Sequence, residues 1–424
     1  MIRFLFLGLW RDRSRSLFPL LTVVIGVMLT VVMFSWIKGF TENFLGTSAR
    51  LGSGHVAVMS RAYARERDQL PNDLALTGVR DLLARLRRDF PAFAWTPRIR
   101  FAGLLDVPDG KGETRAQGPV GGLAVDLFSP GSPEPAVLDL GPTLVSGALP
   151  AGRGEALFAH EFASRLGVAP GASVTLIAGT MFGGMATANL TVAGTFRFGA
   201  PAMDRSMIIM DVADARAVLD MDDAAGEIAG FFRSGFYDRR LADGEAKRFN
   251  ARFASSADPF APRMDTLVAL SGMGQFMGYM DAILGTIVIV FLATMFIVLW
   301  NTGLMGNIRR YGEIGVRLAM GETKGRVYRS MIGEAAIIGL AGSLIGTALG
   351  LALAFYVQAH GLDFGNIMRN ASMLMTTRFH ARVTTAAYVI GFIPGLAATV
   401  LGAATAGRAI YKRQTSRLLK ELEA

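Results

Sequence analysis

Four uncharged runs, residues 17–37, 282–304, 335–357 and 383–407, constrain this chain more than any other feature. Each is at least as long as the roughly 20 apolar residues a helix needs to cross a bilayer. Lipid leaves every backbone N–H and C=O to be satisfied within the segment, so such runs fold as membrane helices. Pro394 lies inside the last run and is expected to bend it. Basic residues precede the first run, as they would in a cleaved leader. Its apolar part is longer than the usual stretch of about 7–15 residues, and no small-residue cleavage site follows, so a retained anchor is expected.

The net charge of +9 invites a nucleic-acid reading, and the location of the charge removes it. Arg3, Arg11, Arg13 and Arg15 precede the first run. Arg309, Arg310, Arg317, Lys324, Arg326 and Arg329 separate the second from the third, and Arg408, Lys412, Arg413, Arg417 and Lys420 follow the fourth. The link between the third and fourth runs carries only Arg369, Arg378 and Arg382. The positive-inside rule then puts both termini and the second link in the cytoplasm, with the nearly neutral residues 38–281 outside. The basic excess therefore faces anionic lipid on the inner surface.

The expected fold is an α-helical membrane protein with four transmembrane helices and a large mixed α/β extracytoplasmic domain inserted between helices one and two. A cytoplasmic interfacial helix is expected at 1–15, and membrane helices at 16–38, 276–304, 332–358 and 384–407. The α/β domain occupies 39–275, a cytoplasmic segment 305–331, a short outer loop 359–383 and a cytoplasmic tail 408–424.

Within the domain, "HVAVMS", "RIRFAGLLDV", "GGLAVDL", "ASVTLIAG", "NLTVAGTFRF" and "SMIIMDV" read as strands bounded by turn residues. "TGVRDLLARLRRDF" reads as an amphipathic helix capped by Thr77, with Val79, Leu82, Leu83, Leu86 and Phe90 on one stripe and Pro91 after its end. Further helices are expected at "HEFASRLG", closed by Gly167, at "VADARAVLDM" and at "DGEAKRFNARF". "DGKGETRAQGPVGG" reads as a loop or hairpin tip, and "SPGSPEP" as a turn between lobes.

The sequence offers little chemistry of its own. It has no cysteine, and His55, His160, His360 and His380 are too scattered to suggest a metal site. No lysine precedes Ser or Thr, so a standard ATP-phosphate loop is absent. The runs contain no ionisable group near mid-bilayer, which argues against ion-coupled transport. Energy is expected from a partner, and the chain itself is not expected to be an enzyme.

Two small features carry more. Gly339, Gly342, Gly346 and Gly350 fall near one face of the third run, where small residues let helices approach closely in lipid. The Met-rich stretch "MGQFMGYMDAIL" leads into the second run. Ordinary helix packing uses such residues, but the position also suits an amphiphile. Phe40, Met273, Phe276, Met277 and Met280 are therefore candidate cargo contacts.

The polar link "GEIGVRLAMGETKGRVYRSMIGEAAIIGLAGSLIGTALG" resembles the signature of MacB/FtsX-like ABC transporter permeases. Glu313, Ile314, Gly315, Arg317, Ala319, Gly321 and Glu334 occupy matching positions, while Gly312 and Glu322 depart from the pattern. "GHVAVM", "GGLAVDL", "GEALFAHEFASRLGVAPGASVTLI" and "LTVAGTFRFGAPAMDRSMIIMDVADARAVL" are similar to the periplasmic domain of lipoprotein-releasing permeases of the LolC/LolE type.

The resemblance implies a permease subunit in the bacterial inner membrane that extracts lipoproteins or lipid-like cargo from the outer leaflet. Its partners would be a separate ATPase subunit, which binds ATP and Mg, a second permease copy or paralogue, and a periplasmic acceptor. Arg309, Arg310, Glu313, Ile314, Arg317, Leu318, Ala319 and Gly321 would form a coupling helix on the ATPase, with Ile314, Leu318 and Ala319 in its groove. Export of an antibiotic, peptide or toxin, and FtsX-like transmission of force to an extracellular partner, are the alternatives.

Overall fold

The computed structural model describes residues 13–109, 111–199, 201–270, 274–308, 311–363 and 378–412. The helices used below are α1 (Arg13–Leu51), α2 (Val79–Asp89), α3 (His160–Leu166), α4 (Val212–Val218), α5 (Arg239–Ala251), α6 (Gly274–Ile308), α7 (Tyr311–Ala319), α8 (Lys324–His360) and α9 (Phe392–Lys412). The strands are β1 (Val56–Ser60), β2 (Leu76–Thr77), β3 (Phe93–Pro108), β4 (Thr114–Val125), β5 (Leu144–Gly147), β6 (Glu155–Ala159), β7 (Ser173–Gly179), β8 (Met185–Phe196), β9 (Met207–Asp211), β10 (Ala224–Ala225), β11 (Glu227–Phe232) and β12 (Pro262–Thr266). The chain divides into two compact units, one formed by the described residues of 42–277, the other by those of 13–41, 278–363 and 378–412.

Among the described residues, four helical segments are long and apolar enough to cross a membrane: Leu17–Leu51, Ala282–Asn301, Lys324–His360 and Thr385–Arg408. In the helical unit, Val23 and Val27 of α1, Met295 and Leu299 of α6 and Ala398 of α9 bury one another. The Thr30 hydroxyl is satisfied within its own helix by Gly26 O at 2.8 Å. Trp300 Nε1 donates to Thr405 Oγ1 at 2.9 Å, which ties α6 to α9. Ile283, Ile287, Ile289 and Val290 of α6 stay exposed, as lipid-facing residues do, since lipid tails are as apolar as the side chains.

The interfacial helix expected at 1–15 falls almost wholly outside the described residues. The fourth span opens as a tight turn, Thr385–Tyr388, before α9 begins at Phe392. Pro394 lies within this span, between the bonds from Ile393 N to Val389 O at 3.2 Å and from Gly395 N to Gly391 O at 3.0 Å, and its missing N–H leaves out the intervening bond to Ile390 O.

The α/β unit is built on a ten-stranded mixed sheet of order β12-β1-β11-β3-β4-β9-β6-β8-β5, with β7 pairing both β3 and β8. The β4–β9 and β6–β8 pairs are parallel and the others antiparallel. Its core includes Phe93, Trp95, Ile99, Phe158, Phe162 and Phe196. The expected strands all form, and β3 and β4 make one long hairpin whose tip is at the start of the residues 109–122 read as a loop or hairpin tip, while the rest of that stretch lies in β4. Strands β2, β5, β6, β10, β11 and β12 and the early start of α5 were not expected. β12 pairs only with β1 and opens on Pro262, as an edge strand can, so it lacks the alternating apolar pattern that flags a strand.

The start of α2 also differs. Thr77 does not cap it, because it pairs with Ala224 as part of β2. Gly78 takes the cap position at φ 65°, a left-handed conformation suited to glycine. The free helix N–H groups find a distant acceptor: Val79 N donates to Asp223 O and Arg80 N to Asp223 Oδ1, both at 3.0 Å.

His55 follows α1 and is only 4% exposed. Its ring lies 5.8, 5.4 and 5.8 Å from those of Phe231, Phe232 and Tyr237, and Nδ1 accepts Phe232 N–H at 2.9 Å. Burial pushes its pKa down from 6.5 to about 4. The unfolded chain therefore binds more protons between these values, so stability is full above pH 6.5 and declines as pH falls toward 4. The expected loss is roughly 3 kcal/mol. Denaturant unfolding across this range measures it, and a His55→Gln chain should lack this component of the pH dependence.

Candidate functional site: coupling helix, glycine seam and arginine clamp

The polar link forms α7, and its end is set by glycine chemistry. Gly321 sits at φ +94°, Glu322 N donates to Arg317 O at 3.1 Å and Gly321 N to Leu318 O at 3.1 Å. This is a Schellman stop, in which the glycine turns the chain while its neighbours satisfy the last carbonyls. The chain re-enters a helix at α8. Ile314 is 4% exposed and packs with Leu318 against Val327 and Met331 of α8.

This arrangement corrects one expectation. Ile314 faces inward to hold α7 on α8 and is not available to a partner's groove, while Leu318 is half-buried beside it. Val316 and Met320 are the exposed apolar residues, Met320 at 75%, with Ala319 also exposed and Arg317 half-buried. Arg309, Arg310 and Met273 lie outside the described residues. The side chains of Glu313, Phe276, Met277 and Met280 do so as well, and Phe40 is half-buried on α1.

The glycines of α8 form a seam. A Cβ on Gly342 would lie 2.8 Å from Val23 Cβ, on Gly346 2.6 Å from Val24 O, and on Gly350 2.9 Å from Val31 Cβ, all on α1. Gly339 meets α9 instead, where a Cβ would collide with the Thr399 hydroxyl. Glycine at every fourth position removes side chains from one face and lets the two backbones meet.

Arginines grip the far end of α1. The helix continues past the apolar run because Leu45, Ala49 and Leu51 enter the α/β core, and its final carbonyls have no helical partner. Arg98 and Arg100 stand two apart on β3 and so share a face. Arg98 Nη1 donates to Arg50 O at 3.0 Å and also to Gly52 O. Arg100 Nη2 donates to Leu51 O and Gly52 O, each at 2.8 Å. Positive charge at a helix C-terminus also complements its dipole.

Each arginine has a carboxylate partner. Arg98 forms a two-pronged pair with Glu134 at 2.8 and 2.7 Å, and both side chains are fully buried. Arg100 reaches Glu227 Oε1 at 3.2 Å, and Arg67 lies 3.8 Å from Oε2. Burial opposes the Glu227 charge most strongly, but Arg100, Arg67, Ser53 and Arg98 together outweigh it and hold the pKa below the usual carboxylate value. Arg67 also donates to Ser53 Oγ, just after α1, and to Leu270 O, ahead of α6, at 2.9 Å. The sequence reading missed all five groups. Two arginines in "RIRF", inside an apolar strand, were the available signal, since buried charges demand partners.

Among the described residues, no cluster of His, Asp and Glu has the makings of a metal site. His160 Nδ1 is 3.2 Å from Thr195 Oγ1, and His360 stacks on Tyr356 at 4.5 Å.

A family model described as the FtsX-like permease C-terminal region matches residues 285–415, and one described as the MacB-like periplasmic core domain matches residues 16–256. Among solved structures, the periplasmic region of MacB from Actinobacillus actinomycetemcomitans is similar at 10% identity and a TM-score of 0.34, over 52% of this chain and 92% of that one. A search of curated proteins finds no match. With two family models covering most of its length, the chain belongs to the MacB/FtsX-like permease family.

Proposed function

We propose that this chain is the permease subunit of an ABC complex that moves lipoproteins or lipid-like cargo from the outer leaflet of the bacterial inner membrane. Family membership implies an ABC transporter with an ATPase partner. In this reading both termini and the 305–331 segment are cytoplasmic, and the α/β domain is inserted between the first two membrane helices on the outer side. ATP and Mg belong to the partner, and a second permease copy or paralogue completes the membrane part.

One observation carries the reading: α7 is a short polar helix between two membrane helices, stopped at Gly321 and anchored to α8 through Ile314. A helix held this way transfers a push directly to α8, and through the glycine seam to α1. Val316, Ala319 and Met320 then supply the apolar contact with the ATPase, and Arg309, Arg310, Glu313 and Arg317 the polar contacts. Phe40 and the Met-rich start of α6 are the proposed cargo contacts. Lipoprotein release is favoured by the likeness of the domain to LolC/LolE-type permeases. Toxin or peptide export and force transmission to an extracellular partner would use the same coupling helix.

Charge reversal at both Glu313→Lys and Arg317→Glu should lower cargo release by about tenfold, the effect of losing roughly 1.5 kcal/mol of charged contact. ATP hydrolysis by the partner should persist. Release assays in proteoliposomes with the co-purified ATPase measure both quantities. Unchanged release would remove α7 as the coupling element, and release of a peptide or toxin in place of a lipoprotein would redirect the cargo assignment.

A further inference from the structure

A cleft of about 720 Å³ opens in the α/β unit, within the roughly 300–1,000 Å³ typical of small-molecule sites. Four parts of the fold send five arginines to its wall: Arg80 and Arg87 from the two ends of α2, Arg153 before β6, Arg216 from α4 and Arg233 after β11. Two are already neutralised. Arg80 lies 3.6 and 3.4 Å from Asp222 and Asp223, and Arg153 is 3.7 Å from Asp214.

The other three lack a carboxylate within ion-pair distance among the described residues. Arg87 donates to Trp95 O at 3.5 Å, Arg216 to Ala224 O at 2.9 Å and Arg233 to Pro91 O at 3.1 Å. Each bond engages one N–H of a guanidinium that carries five. Burial lowers the Arg216 pKa, and Asp223, Asp126 and Asp222 only partly offset that fall, so an incoming anion would further relieve a half-buried charge.

The carboxylates in the wall, Asp126 and Asp211, keep their charge but accept backbone N–H bonds, and neither is within ion-pair distance of these arginines. Asp211 accepts Ala213 N and Leu127 N at 2.8 and 3.0 Å, and Asp126 accepts Ser129 N at 3.0 Å. Leu83, Phe128 and Pro130 add an apolar surface beside the arginines, and Phe128 is 40% exposed.

We infer that this cleft binds a small organic oxyanion, a phosphate or a set of paired carboxylates carried on a compact body. Guanidinium forks match such groups with paired hydrogen bonds, and an uncharged molecule of the same size gains none of this. The loop 126–133 forms one wall and leads directly into Glu134, the buried partner of Arg98. Occupancy therefore orders a segment joined to the clamp on α1.

Calorimetric titration of the full chain in uncharged detergent tests this, with glycerol 3-phosphate and tricarballylate as probes and glycerol as the neutral control. Saturable binding of at least one anion is expected, weakening as salt rises. Arg87→Ala and Arg233→Ala, both at exposed positions, should each weaken binding by about tenfold. Arg88→Ala, whose side chain is on the same helix but outside the cleft, should not change it. Hydrogen exchange should slow at 126–134 when the probe is bound. Absence of saturable binding to a chain with a native melt, or binding unaffected by the Arg87 and Arg233 variants, would overturn the assignment.

Discussion

Replacing Arg98 by methionine is expected to destabilise the α/β unit by about 3–5 kcal/mol, the penalty for stranding a buried charge. Glu134 would remain fully enclosed with its counter-ion gone, and the Arg50 carbonyl would lose its donor. Arg100 still reaches Gly52 O, so the helix end would be weakened rather than released. The double variant Arg98→Met, Glu134→Leu should recover much of the loss, because replacing both ions with apolar groups removes the desolvation penalty along with the attraction. Denaturant unfolding of the full chain in mild detergent, followed by the near-ultraviolet signal of the buried Phe93–Trp95 pair, measures each variant. A single-variant loss below about 1 kcal/mol, the size typical of an exposed pair, would mean that the clamp contributes no more than a surface contact.

The second large effect is expected at the glycine seam. Valine at Gly346 would need its Cβ where Val24 O lies 2.6 Å away and Val27 Cβ 2.9 Å away. A backbone oxygen cannot swing aside as a side chain can, so α8 and α1 must separate along their shared face. Overpacking of this kind costs about 1–3 kcal/mol in well-packed interiors. In lipid it also removes the close approach that drives association. Thermal unfolding in detergent should show a clear drop for Gly346→Val, with transport lost alongside it. Gly285→Ala on α6 is the control, since a Cβ there meets nothing within 4 Å, and it should stay within about 0.5 kcal/mol of the parent. Equal melts for the two variants would show that the seam is not what joins these helices.

Much of the helical unit was legible because a membrane span is a local property: enough consecutive apolar residues suffice, whatever lies beside them. The glycine period of four was equally plain, although the partners Val23, Val24 and Val31 on α1 were not. Strands such as β1, β7 and β9 announce themselves by apolar runs between turns. β12, with the sequence "PRMDT", does not, and exists because β1 offers an edge to pair with.

Ile314 gives a sharper lesson. Its place in the family-like motif suggested contact with a partner, while its burial against Val327 and Met331 assigns it to holding α7 on α8. Which face of a short helix turns inward depends on the angle set at Gly321, and residue pattern alone does not encode that angle. The arginine clamp has the same origin, with Arg67, Arg98, Arg100, Glu134 and Glu227 scattered along the chain and brought together only by the tertiary fold, in which Glu227 on β11 pairs with Arg98 on β3.

The sequence by itself therefore determined the spans, the family motif, the basic segments and strands β1, β3, β4, β7, β8 and β9, since each depends on the preference of neighbouring residues for lipid, water or a pleated surface. Tertiary structure alone decided how far α1 extends, which residues grip its end, which face of α7 is exposed and where five arginines meet around one cleft. These depend on charges and carbonyls that find partners only after distant segments have come together.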